Sequence, residues 1–217
     1  MKYGESAFDI IYLVFAVVIG ICILRKRCDI IGKLMGCAVL ILGFGDAFHL
    51  VPRVLNYFIA ADFTPWLGVG KLITSITMTV FYLLTYFLWL KVYGKSENKG
   101  LSITIYILVV IRIILCLLPQ NGWLNSGGVY IWGIIRNIPF VILGGIIVYL
   151  YFTTRNENRT FRFVWLLVTL SFLFYIPVAV GASFVSLLGM LMLPKTVCYM
   201  VLIWVFLRYA GKPNENK

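Results

Sequence analysis

Seven apolar runs, at about 8–25, 31–57, 66–91, 101–119, 129–152, 161–180 and 183–208, leave this chain few ways to fold. A run of about 20 apolar residues crosses the hydrocarbon of a bilayer as a helix, and inside lipid only a helix or a closed barrel satisfies every backbone N–H and C=O. With 62% hydrophobic and 12% charged residues and a mean hydropathy of +0.97, a soluble fold is excluded. The predicted fold class is an all-α membrane protein, a seven-transmembrane helix bundle, with residues 1–217 as one domain. The loops are too short to hold a soluble domain.

Charge placement predicts the topology. Of 19 Lys and Arg residues, 13 fall in or beside the first, third and fifth loops and the C-terminal tail, at Arg25–Lys33, Lys91–Lys99, Arg155–Arg162 and Arg208–Lys217. Cytoplasmic loops carry such an excess, so the N-terminus is expected outside and the C-terminus inside, in the cell (plasma) membrane as a multi-pass protein. Uncharged Gln120–Gly128 and the Ile59–Pro65 connection are then outer loops. The net charge of +11 is chiefly a topology signal, and no nucleic-acid partner is expected, since these loops lack a basic surface with stacking aromatics. Arg25-Lys26-Arg27 follows the first run without a small-residue cleavage pattern, which predicts a retained anchor. The five cysteines form no C-x-x-C pair and none lies in an outer loop, so neither a disulfide framework nor a zinc site is expected.

Within this apolar chain, one stretch stands out. Asp46, His49 and Arg53 fall within a ~60° arc of the helix Leu40–Phe58, with Asn56 at its edge. Ionisable groups at bilayer depth cost roughly 2.5–3.5 kcal/mol each on insertion scales, so they face a protein interior or a watery cavity and mark function. Lys71, Arg112, Arg136 and Lys195 are expected at comparable depths, with Asp46 as the lone acid among them. That surplus of positive charge predicts an outward-facing cationic cavity completed by a small anionic solute or a lipid headgroup. In the alternative, Asp46 pairs with Arg112 or Arg136 to lock helices while Arg53 and Lys71 snorkel to water. A seam on the third span, Lys71, Ser75, Tyr82 and Tyr86, either lines the same cavity with hydroxyls or packs against a neighbouring helix. The six tryptophans are expected mostly as interface anchors. Pro52, Pro139, Pro177 and Pro194 are expected to kink their spans.

Pro52 and Pro177 stand 125 positions apart and Lys71 and Lys195 124 apart, so a 3+1+3 parallel repeat is open, the plan of several small transporters. Enzymatic readings have few parts to work with. A single histidine does not build a zinc site, and a hydrolase would have to use Asp46 and His49 as catalytic acid and base. The stretch Gly45-Asp46-Ala47-Phe48-His49-Leu50-Val51-Pro52-Arg53 resembles the Gly-Asp helix of the lysoplasmalogenase family, small polytopic proteins that cleave the vinyl-ether bond of lysoplasmalogens, and Gly70–Phe87 is similar in outline. The resemblance implies that Asp46 is the first essential acid of a membrane lipid hydrolase. Ile76 or Thr77 stands where that family has a histidine, and its later Ser-Asp pair has no counterpart around 180–190. Lys195 resembles the Schiff-base position of rhodopsins, but Leu191 replaces the expected Asp one turn earlier and the third span has no carboxylate, so no retinal or other cofactor is expected.

The sequence thus points to a protein that binds, and as a transporter moves, a small anionic or zwitterionic solute through a site made of Asp46, His49, Arg53, Lys71, Ser75, Tyr82, Arg112, Arg136 and Lys195. The alternatives are a lysoplasmalogenase-like hydrolase, and a receptor or assembly partner without chemistry. Membrane lipids are partners in each case, and oligomerisation is open. No Gly-rich nucleotide motif occurs to suggest direct ATP drive.

Overall fold

A computed structural model of the chain describes residues 2–59, 62–124, 130–182 and 184–212. The predicted loop Gln120–Gly128 lies outside the described residues beyond Leu124, as do Ala60, Ala61, Ser183 and Lys217. The helices are α1 (Lys2–Lys26), α2 (Ile30–Phe58), α3 (Thr64–Val92), α4 (Lys99–Leu117), α5 (Tyr130–Ile135), α6 (Asn137–Thr153), α7 (Val164–Gly181) and α8 (Met192–Ala210). Two 3-10 turns, Pro119–Asn121 and Ser186–Leu191, follow α4 and α7. Seven stretches are long and apolar enough to cross a membrane, with α5 and α6 together making the fifth, and no strand occurs among the described residues. The chain is an integral membrane protein built as a seven-helix bundle.

Local chemistry sets the helix ends. Asp29 caps α2 by accepting from the Gly32 N–H at 2.8 Å, and Asn98 caps α4 through Leu101 N–H at 3.3 Å. Arg27 bonds the Asp29 carboxylate at 2.9 Å and holds it below the usual carboxylate range. Helix α3 stops where Gly94 turns left-handed at φ 57° and the Lys95 N–H returns to the Leu90 carbonyl at 3.1 Å, a conformation that glycine adopts without a Cβ penalty.

Two of the four prolines act differently from the expectation. Pro52 and Pro177 do lie inside α2 and α7. Pro139 and Pro194 instead occupy the first turns of α6 and α8, where the missing N–H has no intrahelical acceptor to lose. The fifth span is therefore broken at Arg136, and the seventh begins as a 3-10 turn.

Lipid tails are as apolar as leucine, so packing and interhelical polar bonds hold the helices together. α2 lies between α1 and α3, approaching both where side chains vanish. A Cβ at Gly43 would sit 2.9 Å from that of Ala16, and one at Gly70 would strike the Phe48 carbonyl and the His49 backbone. α8 packs against α7 and α1 and closes the ring. One half of the bundle is filled by aromatic core: Trp89, buried, donates its indole N–H to Leu150 O at 3.1 Å and Thr154 Oγ1 at 3.0 Å and meets the rings of Tyr86 and Tyr93, while Phe161 lies between the rings of Tyr151 and Phe206. Trp89 is thus a core residue and not an interface anchor, whereas Trp66 and Trp204 are exposed. The polar residues collect in the other half, toward the end at which α2 finishes and α3 begins.

Candidate functional site

Two polar cavities of this half are lined by the described residues. The first, about 400 Å³, is lined by Glu5 and Asp9 of α1, Asp46, His49 and Arg53 of α2, and Lys195 of α8. The acids on α1 recur at i and i+4, and Tyr12 continues the same face one turn on, so one stripe carries Glu5, Asp9 and Tyr12 toward α2. Asp9, only 3% exposed, accepts from the Arg53 guanidinium at 2.6 Å, and Glu5 lies 3.3 Å from its other arm. Tyr12 donates its hydroxyl to Asp46 at 2.7 Å. The sequence expectation that Asp46 is the lone acid at this depth is therefore corrected. The first helix starts earlier than residue 8 and so adds Glu5, while Asp9 lies within the expected span itself; pairing offsets the burial of both carboxylates. Arg53 does not snorkel alone: α1 clamps both terminal nitrogens of its guanidinium, while its Nε is buried without a hydrogen-bond partner.

The second cavity, about 470 Å³, is lined by Lys71, Arg112, Arg136, Lys195 and His49, with no carboxylate in its wall. Its charges are positioned by the irregular ends of the helices. Asn121, in the turn after α4, donates to the carbonyls of Leu115, Cys116 and Leu118, which satisfies a helix end that lacks partners. Its side-chain oxygen then accepts from Arg136 at 2.7 Å, while the Arg136 guanidinium lies 4.2 Å over the Trp123 ring. Arg136 stands at the break in the fifth span, as the residue that precedes α6, and the Arg112 guanidinium donates to its carbonyl. Arg112 is 2% exposed, lies 5.1 Å over Phe140, and its Nε has no hydrogen-bond partner. Tyr175 donates to Asn137 at 2.8 Å and its ring lies 4.8 Å from Lys195 Nζ.

Lys195 and His49 line both cavities, together with Thr74 and Met192. Lys195 is enclosed by protein yet keeps surface along these spaces, with no carboxylate within ion-pair reach among the described residues. His49 Nδ1 is buried without a partner. Acid therefore lies on one side of this shared wall and base on the other.

The chain matches no protein-family profile, no curated protein and no solved structure.

Of the sequence-predicted residues, Asp46, His49, Arg53, Lys71, Ser75, Arg112, Arg136 and Lys195 line one cavity or the other. Tyr82 does not: it is fully buried, and its hydroxyl is shared with Tyr199 at 2.9 Å beneath the cavities. Tyr86 is likewise in the core, bonded to Ser102 at 2.6 Å. Asn56 is exposed and lines neither cavity. Asp46 pairs with neither Arg112 nor Arg136, so the helix-locking alternative is not what the structure shows. Residues that the sequence reading passed over are Glu5, Asp9, Tyr12, Asn121, Trp123, Asn137 and Tyr175. A signal existed for the first three in their helical spacing. None existed for Asn121 and Trp123, whose role depends on a turn.

Chemically, the second cavity offers guanidinium and ammonium donors with no internal counter-charge, the setting that favours a carboxylate, phosphate or sulfate group. No three His, Cys, Asp or Glu side chains gather to hold a metal ion among the described residues. For acid–base work, Asp46 and His49 share a cavity wall one turn apart, but Asp46 is bonded to Tyr12 and no hydrogen bond joins it to His49.

Proposed function

We propose that this protein binds a small anionic or zwitterionic solute in the cavity lined by α2 through α8 and carries it across the membrane, with the cavity opening on the outer side, where the N-terminus lies. The observation that carries this reading is four cations, Lys71, Arg112, Arg136 and Lys195, around one space of about 470 Å³ without a carboxylate in its wall. Uncompensated charge inside a bundle is costly, and an anion that supplies the missing charge receives hydrogen bonds from donors already in place. The unpartnered Nε of Arg112 is one such donor. Zwitterions fit as well, since Asp46 lies across the shared wall.

The test is equilibrium binding of small carboxylates, phosphate and sulfate to purified protein, and uptake of the same labelled anions by proteoliposomes. Removing the charge of Arg136, in Arg136→Gln, is expected to weaken binding by about 1–3 kcal/mol, the scale of a charge-assisted hydrogen bond, or roughly 5- to 150-fold. Anion affinity unchanged in both Arg136→Gln and Arg112→Gln would refute the cavity as the binding site.

A second reading, a lipid hydrolase similar to lysoplasmalogenases, is favoured by the free Nδ1 of His49 on the same cavity wall as Asp46. In it His49 takes a proton from water and Asp46 supports the charge that develops. Incubation with mixed lysophospholipids decides between the two: cleavage abolished by His49→Ala supports the hydrolase, because general acid–base catalysis contributes about 10²–10⁴ in rate. Anion uptake that survives His49→Ala and fails in Arg136→Gln supports the transporter.

A further inference from the structure

We infer that anion binding in this protein is coupled to the uptake of one proton by Asp46, with Lys195 as the group that links the two cavities. This rests on the anion-cavity reading and deepens it by naming the co-substrate.

Charge counting over the two cavities leads to it. Around the acid cavity stand Glu5, Asp9 and Asp46, against Arg53 and Lys195. Glu5 and Asp9 are tied to Arg53. That leaves Asp46 with one hydrogen bond, from Tyr12, and Lys195 as the remaining cation on its side. Around the cationic cavity stand Lys71, Arg112, Arg136 and the same Lys195. Arg112 and Arg136 are held by the α6 break and by Asn121, and Lys71 belongs to one cavity only. Lys195 is therefore the cation that both sides share, and it has no fixed ion-pair partner among the described residues. Its stem is long and flexible, and its ammonium has rotatable donors.

The groups that face Asp46 come from four helices. α1 presents Glu5, Asp9 and Tyr12. α2 itself presents His49 and Arg53, α3 presents Thr74 with Lys71 beyond it, and α8 presents Lys195. When an anion occupies the cationic cavity, it draws the Lys195 ammonium toward itself, and Asp46 loses its nearest free cation. A carboxylate in that position is stabilised by taking a proton, which restores the charge that Lys195 withdrew. The step is a proton transfer: one O–H bond forms at a carboxylate oxygen of Asp46 as one O–H or N–H bond breaks in the hydronium or buffer acid that delivers the proton from bulk solvent through the acid cavity, leaving water or the buffer's conjugate base behind. Anion and proton then cross together, so a proton gradient drives anion accumulation.

Sulfate is a suitable probe, because it does not titrate near neutral pH. Calorimetric titration of the purified full-length protein with sulfate, in two buffers of contrasting ionisation enthalpy, reads the protons taken up per sulfate bound. About one proton is expected, and sulfate affinity should fall about tenfold per pH unit over the pH range in which that uptake is close to one. In Asp46→Asn the protons taken up per sulfate bound should drop to near zero and the pH slope should flatten, whatever change its sulfate affinity shows. Lys195→Met should weaken sulfate binding and remove the uptake as well. Wild-type protein that binds sulfate with no proton uptake and no pH slope overturns the coupling and leaves the anion cavity standing. Protein that binds no sulfate at any pH overturns the anion reading and the coupling with it. Should Asp46→Asn fail to fold, the wild-type buffer comparison and pH slope still decide.

Discussion

Asp9→Ala should cost more stability than Glu5→Ala at the acid cavity, and the reason is the bond Asp9 makes. Asp9 accepts from Arg53 at 2.6 Å with 4% of its side chain exposed, whereas Glu5 stands 3.3 Å from the same guanidinium and is 30% exposed. A hydrogen bond to a charged partner contributes about 1.5–3 kcal/mol, and an ion pair open to solvent about 0–1 kcal/mol. Losing Asp9 removes the larger of these and leaves Arg53 held by Glu5 alone, so Asp9→Ala is expected to destabilise by about 2–3 kcal/mol and Glu5→Ala by no more than about 1 kcal/mol. Arg53→Met strands the Asp9 carboxylate instead. The double variant should therefore be less destabilised than the sum of its parts, by about 1–3 kcal/mol. Reversible unfolding of the purified protein in mixed micelles, followed by the fluorescence of its six tryptophans, measures all four corners of this cycle. A coupling below about 0.5 kcal/mol, or a Glu5→Ala cost above that of Asp9→Ala, would refute the clamp between α1 and α2.

Three further predictions follow from the same geometry. In a chain whose cysteines are replaced by alanine, a cysteine at Gln120 should react with an impermeant thiol reagent added outside cells and one at Asn98 should not; the reverse pattern would invert the topology that places the cavity mouth outside. Gly70→Ala puts a methyl against the Phe48 carbonyl and the His49 backbone, which cannot rotate away, so overpacking should lower stability by about 1–3 kcal/mol, while Gly145→Ala, with nothing within 4 Å of its new Cβ, should not lower it in the same unfolding assay. Asp29, held below its usual range by Arg27, contributes stability at neutral pH that is lost as the pH falls through its folded-state value, below about 4. Melting temperature measured from pH 6 down to pH 3 should fall less steeply in Asp29→Asn than in the wild type, and parallel curves would show that the cap has no such role.

The helices were legible because a membrane-crossing run is a long, uniform signal, and six of the seven spans begin and end within a few residues of where hydropathy placed them. The first did not, for a physical reason. Glu5 lowers the local hydropathy, so the apolar run starts at residue 8, just before Asp9, yet both acids stay in the bundle because Arg53 of the next helix pairs with them. Hydropathy weighs each residue against lipid, while the protein weighs it against its neighbour. Tyr82 failed in the opposite direction. It shares a helix face with Lys71 and Ser75, so its azimuth was right, but periodicity says nothing of what covers that face at each depth. Two turns below Ser75, the face meets Tyr199 and Phe140 and is sealed.

The segregation of charge was the part least open to sequence reasoning, and it matters most for function. Lys71, Arg112, Arg136 and Lys195 lie on four spans, and only the packing order decides which of them meet. α2 lies between α1 and α3 with α8 closing the ring, so the stripe of Asp46, His49 and Arg53 is split: its acid end and its arginine turn to α1, and His49 looks both ways. Had α1 lacked Glu5 and Asp9, Arg53 would join the uncompensated cations, and the acid cavity would hold Asp46 alone. Because α1 neutralises Arg53 locally, the surplus charge is confined to one space. Lys195, the cation common to both, is then left as the one whose partner depends on what occupies that space, which is the physical basis for expecting ligand and proton to bind together.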